Sequence, residues 1–159
     1  MQSRNWLKSS PLKSSKMLEH PILAIDYGDA RIGLACTDML GIAVHPLATV
    51  PRKLGFEKTC QYLREKQIVH IVIGLPLMRD ASEGESAKKA RAFAKELQVS
   101  FPELKVSFQD ESFSTVDAAS KLHKVGLNAK KQKSVIDQAA AMEILNRFLE
   151  QHGEGYSAN

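Results

Sequence analysis

Long apolar runs are missing from this chain of 159 residues, so no segment of it is expected to span a bilayer. Cysteine is scarce. Cys36 falls in an apolar strand and Cys60 on a helical stretch, which argues against a disulfide framework and for a reducing cytoplasm. The histidines, His20, His45, His70, His123 and His152, show no paired or helical ligand spacing, which removes a zinc site. There is no GxxxxGK[ST] phosphate loop, and no internal repeat. Aromatic residues make up 6%, too few for a stacking platform that reads single strands base by base.

The composition that remains, 43% hydrophobic and 25% charged, is that of an ordinary globule, and the length suits one domain with a self-sufficient core. Its charge is unevenly spread. Residues 1–18 carry Arg4, Lys8, Lys13 and Lys16 and no acid, which accounts for the whole formal net charge of +4. The body is neutral, so contact with nucleic acid has to come from a local patch. Residues 1–20 are expected to be a disordered basic tail, 21–151 a single domain, and 152–159 a flexible C-terminal tail. The basic, acid-free N-terminus also has the composition of an organelle transit peptide, without the apolar segment of a secretory signal.

Hydrophobic patterning predicts strands over 22–26, 31–37 and 41–50, the first two joined by a tight antiparallel turn at Gly28–Ala30. Pro46 marks the third as an edge or a bend. A helix follows over 56–66, then a doubly buried strand over 68–76. A second helix over 82–97 carries Ala87, Ala90, Phe93, Ala94 and Leu97 on one stripe, and a strand over 104–109 runs into Asp110-Glu111. Helices over 115–124 and 135–151 complete the chain. The order implies an α/β domain whose mixed five-stranded sheet joins a three-strand antiparallel meander to parallel strands fed by crossover helices.

Three acids stand out. Asp26 ends the first strand and Glu111 the fifth. If those strands are parallel neighbours, both acids reach the same sheet edge. Asp137, read as lying in the first turn of the last helix, shares a face with Ala141, Ile144 and Phe148. A carboxylate on a packing stripe needs a partner. Each acid also has a structural reading: Ser134-x-x-Asp137 fits a capping box, Asp26 fits a turn-binding aspartate, and Glu111 precedes the cap Ser114. Taken together, three converging carboxylates would raise one another's pKa unless a hard dication, Mg²⁺ or Mn²⁺, neutralised them.

The same residues resemble the YqgF family (RuvX-type proteins) of the ribonuclease H-like superfamily. "AIDYGDARIGLACTD" is similar to its opening aspartate-x-glycine strand and Arg-Ile-Gly, and "IVIGLPL" to its Gly-Leu-Pro strand end. "DESFST" is similar to its Asp-Glu-Arg-x-Ser/Thr-Thr segment and "DQAAAMEIL" to its closing Asp-x-x-Ala-Ala helix. The likeness covers residues 21–150. It implies a ribonuclease H-like fold and a metal-dependent nuclease of the bacterial cytoplasm, with Asp26, Glu111 and Asp137 as catalytic and metal-holding acids. Its substrate is implied to be precursor 16S ribosomal RNA or, on an older reading, a four-way DNA junction. Two positions depart from the family pattern: Ser112 replaces the usual arginine, and Ala81 replaces a glycine often found after Asp80, which puts the shape of that loop in question.

For gripping nucleic acid the candidates are Lys124, Lys130, Lys131 and Lys133, within an acid-free basic loop that also holds Lys121, and Arg31. The lysines have a solvated-loop alternative, and Arg31 has an ion pair with Asp29 or Asp38. Either a monomer or a homodimer is compatible with this reading. Two other classes stay open: half of an actin- or sugar-kinase-type nucleotide site, and a structured-RNA-binding module with weak or no catalysis.

Overall fold

A computed structural model of the chain describes residues 18–111 and 129–153; the N-terminal tail, Ser112, Lys124 and the helix expected over 115–124 lie outside the described residues. Nine elements follow in order: β1 (Ile22–Tyr27), β2 (Arg31–Thr37), β3 (Val44–Pro51), a 3₁₀ turn (Arg52–Leu54), α1 (Gly55–Glu65), β4 (His70–Pro76), α2 (Glu85–Ser100), β5 (Lys105–Glu111) and α3 (Ala129–His152).

The strands form one sheet in the order β3-β2-β1-β4-β5. β1 runs antiparallel to β2, and β2 antiparallel to β3, while β4 is parallel to both β1 and β5. This is the mixed sheet expected from the sequence, with one correction. β1 and β5 are parallel but not neighbours, because β4 lies between them. β3 is an edge strand, and Pro46 sits where the β2–β3 register slips between Leu34 and Ala35, a position that spares the ladder a missing donor.

Alternation along the strands separates two cores. Leu23, Ile25, Ile32, Leu34, Ile71 and Ile73 point to one face and pack beneath α1 and α2, the latter contributing the expected stripe from Ala87 to Leu97. The other face is lined by smaller side chains. There Ile22, Ala24, Ala35 and Val72 meet Ala141, Ile144, Leu145, Phe148 and Leu149 of α3. Small residues let α3 lie close across β2, β3 and β1.

α3 starts at Ala129, six residues before the expected position. The run Ala-Lys-Lys-Gln-Lys consists of strong helix formers, so it extends the helix although it carries no apolar face. Asp137 therefore stands in the third turn, and the capping reading of Ser134 and Asp137 fails. Ser134 instead offers its carbonyl to the Thr49 hydroxyl at 2.7 Å.

Candidate active site

β1, β4 and β5 are parallel, so their C-terminal ends share one sheet edge. Asp26 and Glu111 stand at that edge on either side of β4. What lets them meet is the residue between them. A Cβ on Gly74 would lie 2.7 Å from Glu111 Oε2 and 2.6 Å from Ile144 Cδ1, so only bare backbone leaves room for the carboxyl to lie over β4.

The two acids are hydrogen-bonded to each other. Burial lifts Asp26 to about 6; the bond from Glu111 pulls it down, and the charge of Asp137 pushes it up. Glu111 rises further, to about 8, first through burial, then through the charge of Asp26 and the bond to it. The pair thus retains a proton that neither group gives up in the usual carboxylate range. Two carboxyl groups in this state ionise together at a lower pH when a positive charge joins them.

Asp137 reaches the same edge from above. Gly33 is the register partner of Asp26 on β2. A Cβ there would overlap the carbonyl oxygen of Asp137 and come within 3.1 Å of its Cα. The helix backbone therefore rests on the strand directly beside Asp26. Its carboxylate is turned toward Arg31, however, whose Nε donates to Asp137 Oδ2 at 2.7 Å. Arg31 and Gly33 are two residues apart and share a face of β2, which places the guanidinium beside the helix. Asp29 and Asp38, the partners expected for Arg31, are engaged elsewhere: Asp29 faces Arg52 at 3.7 Å, and Asp38 accepts from the Ile42 amide at 2.8 Å.

The structure thus joins Asp26 to Glu111 and brings Asp137 alongside, but with its carboxylate paired to Arg31. Among the described residues no group of three His, Cys, Asp or Glu side chains is arranged to hold a metal ion. The donor chemistry of Asp26 and Glu111 suits a hard dication; Asp137 would complete an all-oxygen set, but its Oδ2 is engaged by Arg31.

Of the expected cationic contacts, Lys124 lies outside the described residues and Lys130 is in the first turn of α3. Lys131 and Lys133 follow on the same helix with exposed side chains, so the C-terminal part of the expected basic loop is helical. Sequence reading missed four residues that shape the site. Gly33 and Gly74 were visible in "RIG" and "GLP" but not read as the places where the helix and a carboxyl approach the sheet. Glu143 and Arg147, paired at 3.1 Å on α3, act on Glu111 with opposite signs. Their helical spacing carries no sign of that role.

Ala81 adopts a left-handed backbone (φ 66°), a conformation that favours glycine. The position where the family pattern has glycine keeps a glycine-like conformation here without the glycine.

A family model described as "RuvX: Holliday junction resolvase" matches residues 20–151. The chain belongs to the RuvX family. It is 42% identical over 131 residues to a protein of Streptomyces avermitilis named "Putative pre-16S rRNA nuclease", covering 80% of this chain and 84% of that one. A protein of the same name from Kineococcus radiotolerans is 38% identical over 139 residues, covering 85% and 74%. Among solved structures, Thermus thermophilus RuvC in complex with a Holliday junction substrate aligns with 84% of this chain and 97% of its own, at 15% identity and a TM-score of 0.49. The family match includes Asp26, Arg31, Glu111 and Asp137.

Proposed function

We propose that this chain is a nuclease that hydrolyses phosphodiester bonds of precursor 16S ribosomal RNA, with Asp26, Glu111 and Asp137 as its catalytic and metal-holding acids and Mg²⁺ or Mn²⁺ as cofactor. One observation carries this reading: Asp26 and Glu111 share a hydrogen bond over Gly74, at the edge where the backbone of Asp137 rests on Gly33. Two partly buried acids pressed together are costly once ionised, and a cation would relieve that cost. A bound dication would let them ionise, lower the pKa of water at the site and offset charge building up on the phosphate. The protein's own part is positional. Asp26 and Glu111 fix the donor oxygens on the rigid ends of two strands, and Gly33 and Gly74 hold the distances.

Arg31, Lys131 and Lys133, together with Lys124 and Lys130, are the proposed phosphate contacts, a local cationic flank on a neutral body. A monomer suffices for trimming an RNA end; cutting a four-way DNA junction needs two sites and hence a homodimer. The junction is the second reading, favoured by the description of the matching family. No described helix is long and apolar enough to cross a membrane, and the proposed setting is the cytoplasm.

The test is a substrate panel of precursor 16S RNA, a four-way DNA junction and a linear duplex, with Mg²⁺, Mn²⁺ or chelator. Metal-dependent cutting of the RNA, lost in Asp26→Asn, supports the proposal. Preference for the junction moves the function to the second reading. Tight binding with no cutting by the wild type would make the chain a binding module.

A further inference from the structure

The site holds three acids and shows only two of them together. The third is held by Arg31, in an ion pair between an arginine side chain 38% exposed and an aspartate side chain 18% exposed. Arg31 is thus within reach of solvent while Asp137 is largely covered. The backbone of Asp137 already lies beside Asp26 through the close approach at Gly33, so the movement required of its carboxylate is one of the side chain.

Electrostatics sets the direction. Without a cation, three carboxylates at one edge repel, and the Arg31 pair is the favourable place for Asp137. A dication held by Asp26 and Glu111 would reverse that preference and compete with Arg31 for Asp137. A phosphodiester competes with Asp137 for Arg31, because a guanidinium binds phosphate oxygens with the same forked donors it offers a carboxylate. Two competitions that share one ion pair are linked. Each ligand releases the group that the other needs, so each raises the other's affinity.

We infer that Arg31 is a positioning residue that couples substrate to metal: its ion pair holds Asp137 out of the cation site until a substrate phosphate takes the guanidinium. This rests on the nuclease reading and deepens it. The opposite role, in which Arg31 merely orients Asp137 for the metal, predicts the opposite sign when Arg31 is removed.

The test is Mn²⁺ binding by isothermal titration calorimetry to the wild type, Arg31→Gln, Asp137→Asn and the double variant, with no nucleic acid present. Thermal melts check that each is folded, and Arg31→Lys serves as the milder substitution should Arg31→Gln melt early. Arg31→Gln is expected to bind Mn²⁺ about tenfold more tightly, a gain that disappears in the Asp137→Asn background. An uncleavable RNA duplex is expected to tighten Mn²⁺ binding to the wild type but not to Arg31→Gln. Unchanged or weaker Mn²⁺ binding in a folded Arg31→Gln overturns the coupling and leaves the nuclease reading standing. No Mn²⁺ binding by any variant overturns the metal-dependent reading itself.

Discussion

Both ends of the sheet bury polar groups, and they treat them in opposite ways. At the N-terminal ends of β1, β4 and β5 the groups are neutral and mostly paired, although the buried His70 Nδ1 has no hydrogen-bond partner among the described residues. Thr37 Oγ1 accepts from the Ile22 amide at 2.9 Å and bonds His20 Nδ1 at 2.9 Å, and His70 Nε2 bonds Ser107 Oγ at 2.8 Å. Burial, followed by the charge of Lys105, holds His70 down to about 4, so it stays uncharged in the fold. At the C-terminal ends, Asp26 and Glu111 are pressed together and driven up by burial, to which the charge of Asp137 adds at Asp26 and that of Asp26 adds at Glu111. One end keeps its buried polar groups uncharged; the other leaves a deficit of positive charge. That contrast separates a structural polar cluster from a site awaiting a ligand.

The largest effect expected on stability is at the contact that builds the site. Gly33→Val places side-chain atoms where the Asp137 backbone lies, forcing α3 off the sheet. A loss of about 3 kcal/mol or more is expected in denaturant melts. A loss below about 0.5 kcal/mol would mean that α3 does not sit as described.

The pH dependence of stability sharpens the contrast because the two ends have opposite slopes. His70 is lowered from 6.5 to about 4, so the unfolded chain binds the extra proton in that window. Its contribution, up to about 3 kcal/mol, is present above pH 6.5 and lost on acidification toward 4. Asp26 and Glu111 are raised, so the folded chain binds the extra protons, and their destabilisation grows as pH rises from about 4 through 8. Metal-free protein should therefore lose stability between pH 6.5 and 8, above the His70 window, as the acid pair gives up its proton. Asp26→Asn should flatten that limb and stabilise the metal-free fold at pH 8 by about 1–2 kcal/mol, and added Mg²⁺ should flatten it in the wild type. A variant less stable than the wild type at pH 8 would show the pair to be structural, like His70.

The smallest effect belongs to the loop beside the site. Ala81→Gly relieves a left-handed backbone at some cost in chain entropy and should stabilise the fold by up to about 1 kcal/mol, read from the shift in Tm.

Much of this molecule was legible in its sequence, for reasons that particular residues show. Short continuous apolar runs in "ILAIDY" and "IVIGLP" marked the strands, and the stripe Asp137, Ala141, Ile144, Phe148 marked which helical face packs. Strand order was less legible. Nothing local in β1 or β5 says that β4 comes between them, since pairing is a long-range property. The start of α3 was misread because a capping-box pattern and a lysine run look like a helix end, while propensity carries the helix through them. The partner of Arg31 lies 106 positions away, and no local charge pattern could point to it.

The most direct measurement is anomalous diffraction from crystals of the protein grown with Mn²⁺. A peak bridging Asp26 and Glu111 at the C-terminal edge of the sheet is the expected result. Crystals saturated with Mn²⁺ that show no peak at these carboxylates would contradict the central claim that they are gathered to hold a cation.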